Sequence, residues 1–112
     1  MLPSKRKVTR ALFKSVLEKG RSYASEHFSL RVVFLSQGLT RFAIVVPKKV
    51  EKSAVKRNAI KRRVYNALRS LVPRAKTLGL YVFFVKKKIN TQPFPVLVSE
   101  IESLLKKATV IS

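Results

Sequence analysis

PKKVEKSAVKRNAIKRRVYNALR, residues 47–69, is the stretch around which the rest of the chain arranges itself. Between Lys48 and Arg63, eight of sixteen residues are Lys or Arg, and Glu51 is the only acid. Ser53 suits a helix N-cap, because its hydroxyl can accept a hydrogen bond from a first-turn N–H that lacks an intrahelical partner. Beyond it Ile60, Val64, Ala67, Leu68 and Leu71 fall at i, i+4, i+7, i+8 and i+11, one apolar stripe of an α-helix. At 100° per residue, Arg57, Asn58, Lys61, Arg62, Tyr65 and Arg69 fill an adjacent sector. Such a helix anchors in a core while presenting cations, an amide and an aromatic ring.

A charge run is most often a solvated face, and cations this close destabilise an isolated helix. Two features favour a polyanion-binding face instead. Arg supplies nearly half of the cations, and its planar fork matches phosphate bidentately. Solubilising surfaces also mix both signs, whereas this one does not.

The ordered segment VPKKVEKSAVKRNAIKRRVYNAL, residues 46–68, resembles the signature of the bacterial ribonuclease P protein component. That family has a strand ending in a Lys-Lys loop, then a helix opening with Arg-Asn and continuing to Ile-Lys-Arg. The matching positions are Lys48, Lys49, Ala54, Val55, Arg57, Asn58, Ile60, Lys61 and Arg62. Two positions depart from the pattern: Ala59 and Tyr65 stand where the family often has Arg. Arg63 and Arg69 are the nearby cations that compensate.

The resemblance implies a protein subunit that assists a catalytic RNA in removing the 5′ leader from precursor tRNA. In it the RNA carries the chemistry and coordinates Mg²⁺, the protein holds no cofactor of its own, and one protein serves one RNA. It places Arg57, Asn58, Lys61 and Arg62 against the RNA subunit, and Lys48, Lys49, Lys56 and Arg69 would widen that patch. A groove for the single-stranded leader would draw on Phe13, Ser29, Arg31 and Tyr65. Phe13 reads equally well as a plain core residue.

The 112 residues suffice for one domain with a real core, expected to span 1–112 as a single RNA-binding unit. An apolar fraction of 46% is that of a globular chain rather than a disordered basic tail. The formal charge of +20 opposes folding by self-repulsion and points to a densely anionic partner, nucleic acid before membrane. There is no cysteine, which excludes disulfides and Cys-based zinc sites. MLPSKRKVTR lacks the apolar run of a signal peptide, and no segment approaches the ~20 apolar residues that span a bilayer. A cytoplasmic protein without a membrane partner is the expectation.

In chain order, residues 1–8 read as a basic arm. Thr9 can cap a helix to about Lys19, with Leu12, Phe13, Val16 and Leu17 apolar and Gly20 as its stop. Phe28 to Leu35 alternates as a half-buried strand, with Ser29 and Arg31 on its wetter face. His27, the lone histidine, reads as a surface residue at the strand edge. Ser36-Gln37-Gly38 turns the chain into a second strand, Thr40–Val46, forming a hairpin that Pro47 ends. The basic helix follows and Pro73 closes it near Val72. Leu80–Val85 is apolar on both faces and so central, with Lys86-Lys87-Lys88 at its exit. Pro93 and Pro95 precede a last helix to about Lys107, with Phe94, Leu97, Val98, Ile101, Leu104 and Leu105 apolar. The order α-β-β-α-β-α predicts an α+β fold, a two-layer sandwich around one mixed sheet. The resemblance adds a left-handed βαβ crossover, against the general rule.

All five acids are Glu: Glu18, Glu26, Glu51, Glu100 and Glu102. A two-metal nuclease site needs clustered carboxylates, yet these are scattered, and Glu100 and Glu102 fall on different helix faces. No Gly-rich phosphate loop is present. The chain is therefore expected to act on nucleic acid by binding. A ribosomal or other structural RNA-binding protein without a catalytic role is the alternative, separated only by the Arg57-Asn58 to Arg62 arrangement. A DNA-binding regulator would need a helix-turn-helix pair, but here strands flank the basic helix. A membrane-active cationic peptide would lack so much strand and core.

Overall fold

The computed structural model describes residues 10–35, 40–74, 79–87 and 92–108. Along them run α1 (Arg10–Lys19), β1 (Arg21–Ala24), β2 (Phe28–Phe34), β3 (Arg41–Val45), α2 (Ala54–Leu71), a 3-10 turn (Val72–Arg74), β4 (Gly79–Val85) and α3 (Phe94–Lys107). The expected basic arm 1–8, the Thr9 cap, the Leu12 side chain, the Ser36-Gln37-Gly38 turn and Lys88 lie outside the described residues.

The fold is α+β, with a four-stranded mixed sheet ordered β1-β2-β4-β3. β2 pairs antiparallel with β1 and β4, and β3 pairs parallel with β4. Two features differ from the sequence reading. The first is β1, which the reading lacks. Its four residues, RSYA, are exposed except for half-buried Tyr23, so no apolar period marks them. Backbone pairing, Arg21 opposite Val32 through Ala24 opposite Ser29, makes the strand.

The second is the hairpin. β2 and β3 do not pair; β4 lies between them, with Phe83 opposite both Leu30 and Ile44. The central place goes to the strand that can be buried on both faces. Leu80, Tyr81, Val82, Phe83 and Val85 are each at most 2% exposed.

Alternation then gives the sheet two apolar faces. One carries Phe28, Leu30, Val32, Phe42, Ile44, Val46, Tyr81, Phe83 and Val85, and α2 and α3 close over it to form the main core. Within that layer Phe42 stacks on Tyr81, ring centroids 5.2 Å apart. Among the described residues the opposite face is covered by α1 alone, where Val16 packs on Leu80 and Val82.

Ile60, Val64, Ala67, Leu68 and Leu71 of α2 are all buried, and the Ser53 hydroxyl accepts the Lys56 N–H at 3.3 Å, both as the sequence implies. On α3, Leu97, Ile101, Leu104 and Leu105 are buried, but Phe94 is 42% exposed at the first turn, where there is less to pack on. Leu17, expected on the apolar face of α1, is likewise 40% exposed, because α1 meets the sheet with a single narrow stripe. Gly20 ends α1 by bonding its N–H to the Val16 carbonyl at 2.8 Å. A Cβ there would sit 2.4 Å from that oxygen, so only glycine fits.

His27 also departs from expectation: it is buried and fully partnered. Its Nδ1 lies 2.8 Å from Glu100 Oε1, and its backbone N–H donates to Glu100 Oε2 at 2.8 Å. The Ser25 hydroxyl donates to the same oxygen at 2.6 Å, and Gln92 Nε2 lies 3.0 Å from His27 Nε2. These bonds fasten the β1–β2 connection to α3. Burial alone would raise the Glu100 pKa, but the bonds from Ser25 and His27 outweigh it and leave the carboxyl below its ordinary value.

A depressed folded pKa makes Glu100 stabilising above the ordinary carboxylate pKa, and that stability is lost as pH falls through the lowered folded value. Removing the carboxylate strands the Ser25 hydroxyl, the His27 backbone N–H and the His27 Nδ1, so Glu100→Ala should cost about 2–3 kcal/mol at neutral pH. Thermal melts from pH 7 to pH 3 check this. The variant should melt lower at pH 7 and converge on the parent in acid; parallel curves would remove Glu100 from the acid response.

Candidate nucleic-acid interface

The basic loop between β3 and α2 is built to hold its shape. Val50 and Glu51 both give their N–H to the Pro47 carbonyl, at 3.0 and 3.2 Å. Glu51 is buried, and its carboxylate accepts the Ser53 N–H at 3.3 Å. Arg57 reaches back from α2 and donates NH1 to the Glu51 and Lys52 carbonyls, at 3.0 and 2.8 Å. That differs from the reading in which the Arg57 head projects outward: this nitrogen clamps the loop on which Lys48 and Lys49 stand exposed. Carbonyls that lack backbone partners attract the nearest strong donor, and Arg57 is one turn away.

Sorting cations by partner separates two populations. Arg31 donates NH1 to the Leu17 carbonyl at 2.9 Å, near the C-terminus of α1, where a cation also complements the helix dipole. Arg63 bonds the Gln92 carbonyl at 2.5 Å, Arg74 pairs with Glu102, and Lys86 Nζ bonds the Ser25 carbonyl at 2.9 Å. The side chains of Lys48, Lys49, Lys56, Lys61, Arg62 and Arg69 have no hydrogen bond or ion pair among the described residues. Those six carry mutual repulsion that nothing within the described fold relieves, and a polyanion would.

Helical geometry sets their grouping. Asn58, Lys61, Arg62 and Arg69 share one flank of α2, whereas Lys56, five residues before Lys61, points roughly 140° away round the helix. Tyr65 lies on the same flank as Asn58 but is only 9% exposed and belongs to the main core. Desolvation raises the pKa of its phenol, against a hydrogen bond with the Ile44 backbone on β3. Asn58, Lys61, Arg62 and Tyr65 together line an open depression of about 300 Å³.

Phe13, Ser29 and Arg31 are brought together elsewhere, on the sheet face under α1. There the Phe13 ring lies 6.1 Å from Phe84, and Ala43 and Val45 are half-buried beside them. Tyr65 is on the opposite side of the sheet, so the expected grouping of all four does not form. Phe84 is the residue the sequence reading missed. A strand apolar on both faces does not reveal which face a short helix will leave half open.

A cationic α+β domain results, with a cluster of cations that have no partner among the described residues on one helix flank and its entry loop, and an aromatic groove on the other sheet face. Its relatives carry the same architecture. The ribonuclease P family profile matches residues 2–109. A ribonuclease P protein component from a Pseudanabaena species is 34% identical over 114 residues, covering 99% of this chain and 97% of its own. One from Rippkaea orientalis is 31% identical over 104 residues, covering 88% and 82%. Among solved structures, the Staphylococcus aureus RNase P protein superposes with TM-score 0.82 at 22% identity, over 98% of this chain and all of its own. The Thermotoga maritima RNase P protein gives 0.76 at 24% identity, over 85% and 89%. The chain belongs to the ribonuclease P protein family, and so to the protein part of an endoribonuclease.

Proposed function

We propose that this protein assists a catalytic RNA subunit in removing the 5′ leader of precursor tRNA, with Mg²⁺ and the cleavage chemistry residing on the RNA. One protein serves one RNA, in the cytoplasm. The observation that carries this reading is the set of cations left without partners on the α2 flank and the loop before it. Set against RNA, they reduce repulsion between two large polyanions and lower the demand for screening cations. The carboxylates support a binding role rather than a chemical one. Glu100 is spent on Ser25 and His27, Glu102 on Arg74, and Glu51 within its loop. Among the described residues no helix is long and apolar enough to cross a membrane.

In this reading Lys48, Lys49, Asn58, Lys61, Arg62 and Arg69 contact the RNA subunit, and Lys56 extends the charge round the helix. Arg57 acts mainly by fixing the loop. Phe13, Phe84, Ser29 and Arg31 line the groove for the leader, where rings and cations hold a single strand with little sequence preference. Arg31 also steadies α1, which forms the groove's other wall.

Cleavage of a precursor tRNA by the cognate RNA at low Mg²⁺ is the direct test. The protein should raise the rate there and cleave nothing alone. Metal-dependent cleavage by RNA-free protein, abolished by a Glu substitution, would overturn the assignment of chemistry to RNA.

Replacing Lys61 and Arg62 by Ala removes two phosphate contacts together with some like-charge repulsion, and Ala is the better helix former. Melting temperature should hold level or rise, while affinity for the RNA subunit falls by about 1–3 kcal/mol. Calorimetry and filter binding on the one variant give both readouts. Unchanged affinity would show that this flank faces solvent only.

A further inference from the structure

The depression on the α2 flank is more than a cationic spot. Its lining residues, Asn58, Lys61, Arg62 and Tyr65, fall at i, i+3, i+4 and i+7, so they are neighbours along one flank. At about 300 Å³ it matches the small end of ligand pockets, roughly 300–1,000 Å³.

The four side chains offer three chemistries. Tyr65 supplies an aromatic floor that cannot swing away, because its ring is packed in the core. Asn58 offers an exposed amide with both donor and acceptor, free of partners among the described residues. Lys61 and Arg62 bring two unpaired cations, and Arg62 presents a planar fork.

A bare phosphate would satisfy the cations and leave the amide and the aromatic floor idle. A carboxylate side chain would do the same. A nucleotide uses all three, having a planar base with a donor–acceptor edge and a phosphate attached. Proteins read RNA at unstacked nucleotides in just this combination of ring contact and edge hydrogen bonds.

We propose that this depression takes one unstacked nucleotide of an RNA partner, its base against Tyr65 and Asn58 and its phosphate on Lys61 and Arg62. The proposal rests on the RNA-binding reading above and adds a base-sensitive point to an otherwise sequence-blind face.

The full-length protein is titrated at fixed ionic strength with each of the four ribonucleoside 5′-monophosphates, with ribose 5-phosphate and with inorganic phosphate. Side-chain NMR signals of the Tyr65 ring and the Asn58 amide report occupancy. At least one nucleotide should bind about 10-fold more tightly than ribose 5-phosphate, the scale of one base contact. Asn58→Leu, at an exposed position, should abolish that margin while leaving affinity for ribose 5-phosphate within about 2-fold, since the cations remain. Equal affinity for nucleotides and ribose 5-phosphate would overturn the proposal, as would an Asn58→Leu variant with the margin intact.

Lys61→Ala/Arg62→Ala, measured against the RNA subunit, separates this from the broader reading. Loss of RNA affinity in that variant, with no nucleotide margin in the parent, would sink the base site alone. RNA affinity unchanged in that variant would sink both.

Discussion

Raising monovalent salt from 50 to 200 mM should weaken binding to the RNA subunit by roughly 300- to 2,000-fold. One released counterion set is counted for each of Lys48, Lys49, Lys56, Lys61, Arg62 and Arg69, at about 0.7–0.9 units of log–log slope per phosphate contact. The same salt should act on the free protein with the opposite sign. A net charge of +20 opposes the compact state, and screening relieves that repulsion, so the melting temperature should rise as affinity falls. Binding titrations and melts in matched buffers test both halves. Opposite trends would exclude unfolding as the cause of lost affinity. A binding slope near zero would mean that the basic helix is a solvated surface and that the reading of its face is wrong.

Phe42→Ala should cost about 3–5 kcal/mol, the usual range for deleting a buried aromatic ring. Phe42 is 1% exposed, sits on the face covered by α2 and α3, and stacks on Tyr81 with the planes 28° apart. Little room exists to collapse into the gap, because Tyr81 lies on the central strand and is held from both sides. Against a typical total of about 5–15 kcal/mol, that loss leaves the fold marginal. Phe94→Ala is the internal control: the same deletion at a 42% exposed ring should cost much less. Urea denaturation is the suitable measurement, since guanidinium would also screen charge. Similar costs for the two variants would contradict the placement of the core.

Both results follow from a division already visible in residues 47–69. A helix with one apolar stripe and one cationic sector must put its stripe inside, so Ile60, Val64, Ala67, Leu68 and Leu71 were legible as core and Lys61 and Arg62 as surface. Ser53 as the cap and Leu80–Val85 as the central strand were legible for the same reason: each rests on a local pattern with one physical solution. The family followed from the order of cations within that segment.

Tertiary structure decided whatever depends on a partner distant in sequence. β1 exists because β2 offers its edge, and four mostly exposed residues carry no period of their own. β2 and β3 are separated because β4 needs both of its edges paired and both faces covered, a requirement no turn motif encodes. His27 is buried because Glu100, 73 residues away, supplies its carboxylate. Arg57 and Lys61 look alike in the chain, yet one clamps the loop through Glu51 and Lys52 while the other is free among the described residues. Tyr65 joins the core rather than the groove of Phe13, because α2 packs on the sheet face opposite the one that α1 covers. The sequence by itself determined which residues carry charge and which seek burial, since those are properties of side chains and their period. Which cations are spent within the fold and which remain for RNA was decided only when distant carbonyls and carboxylates came within hydrogen-bonding reach.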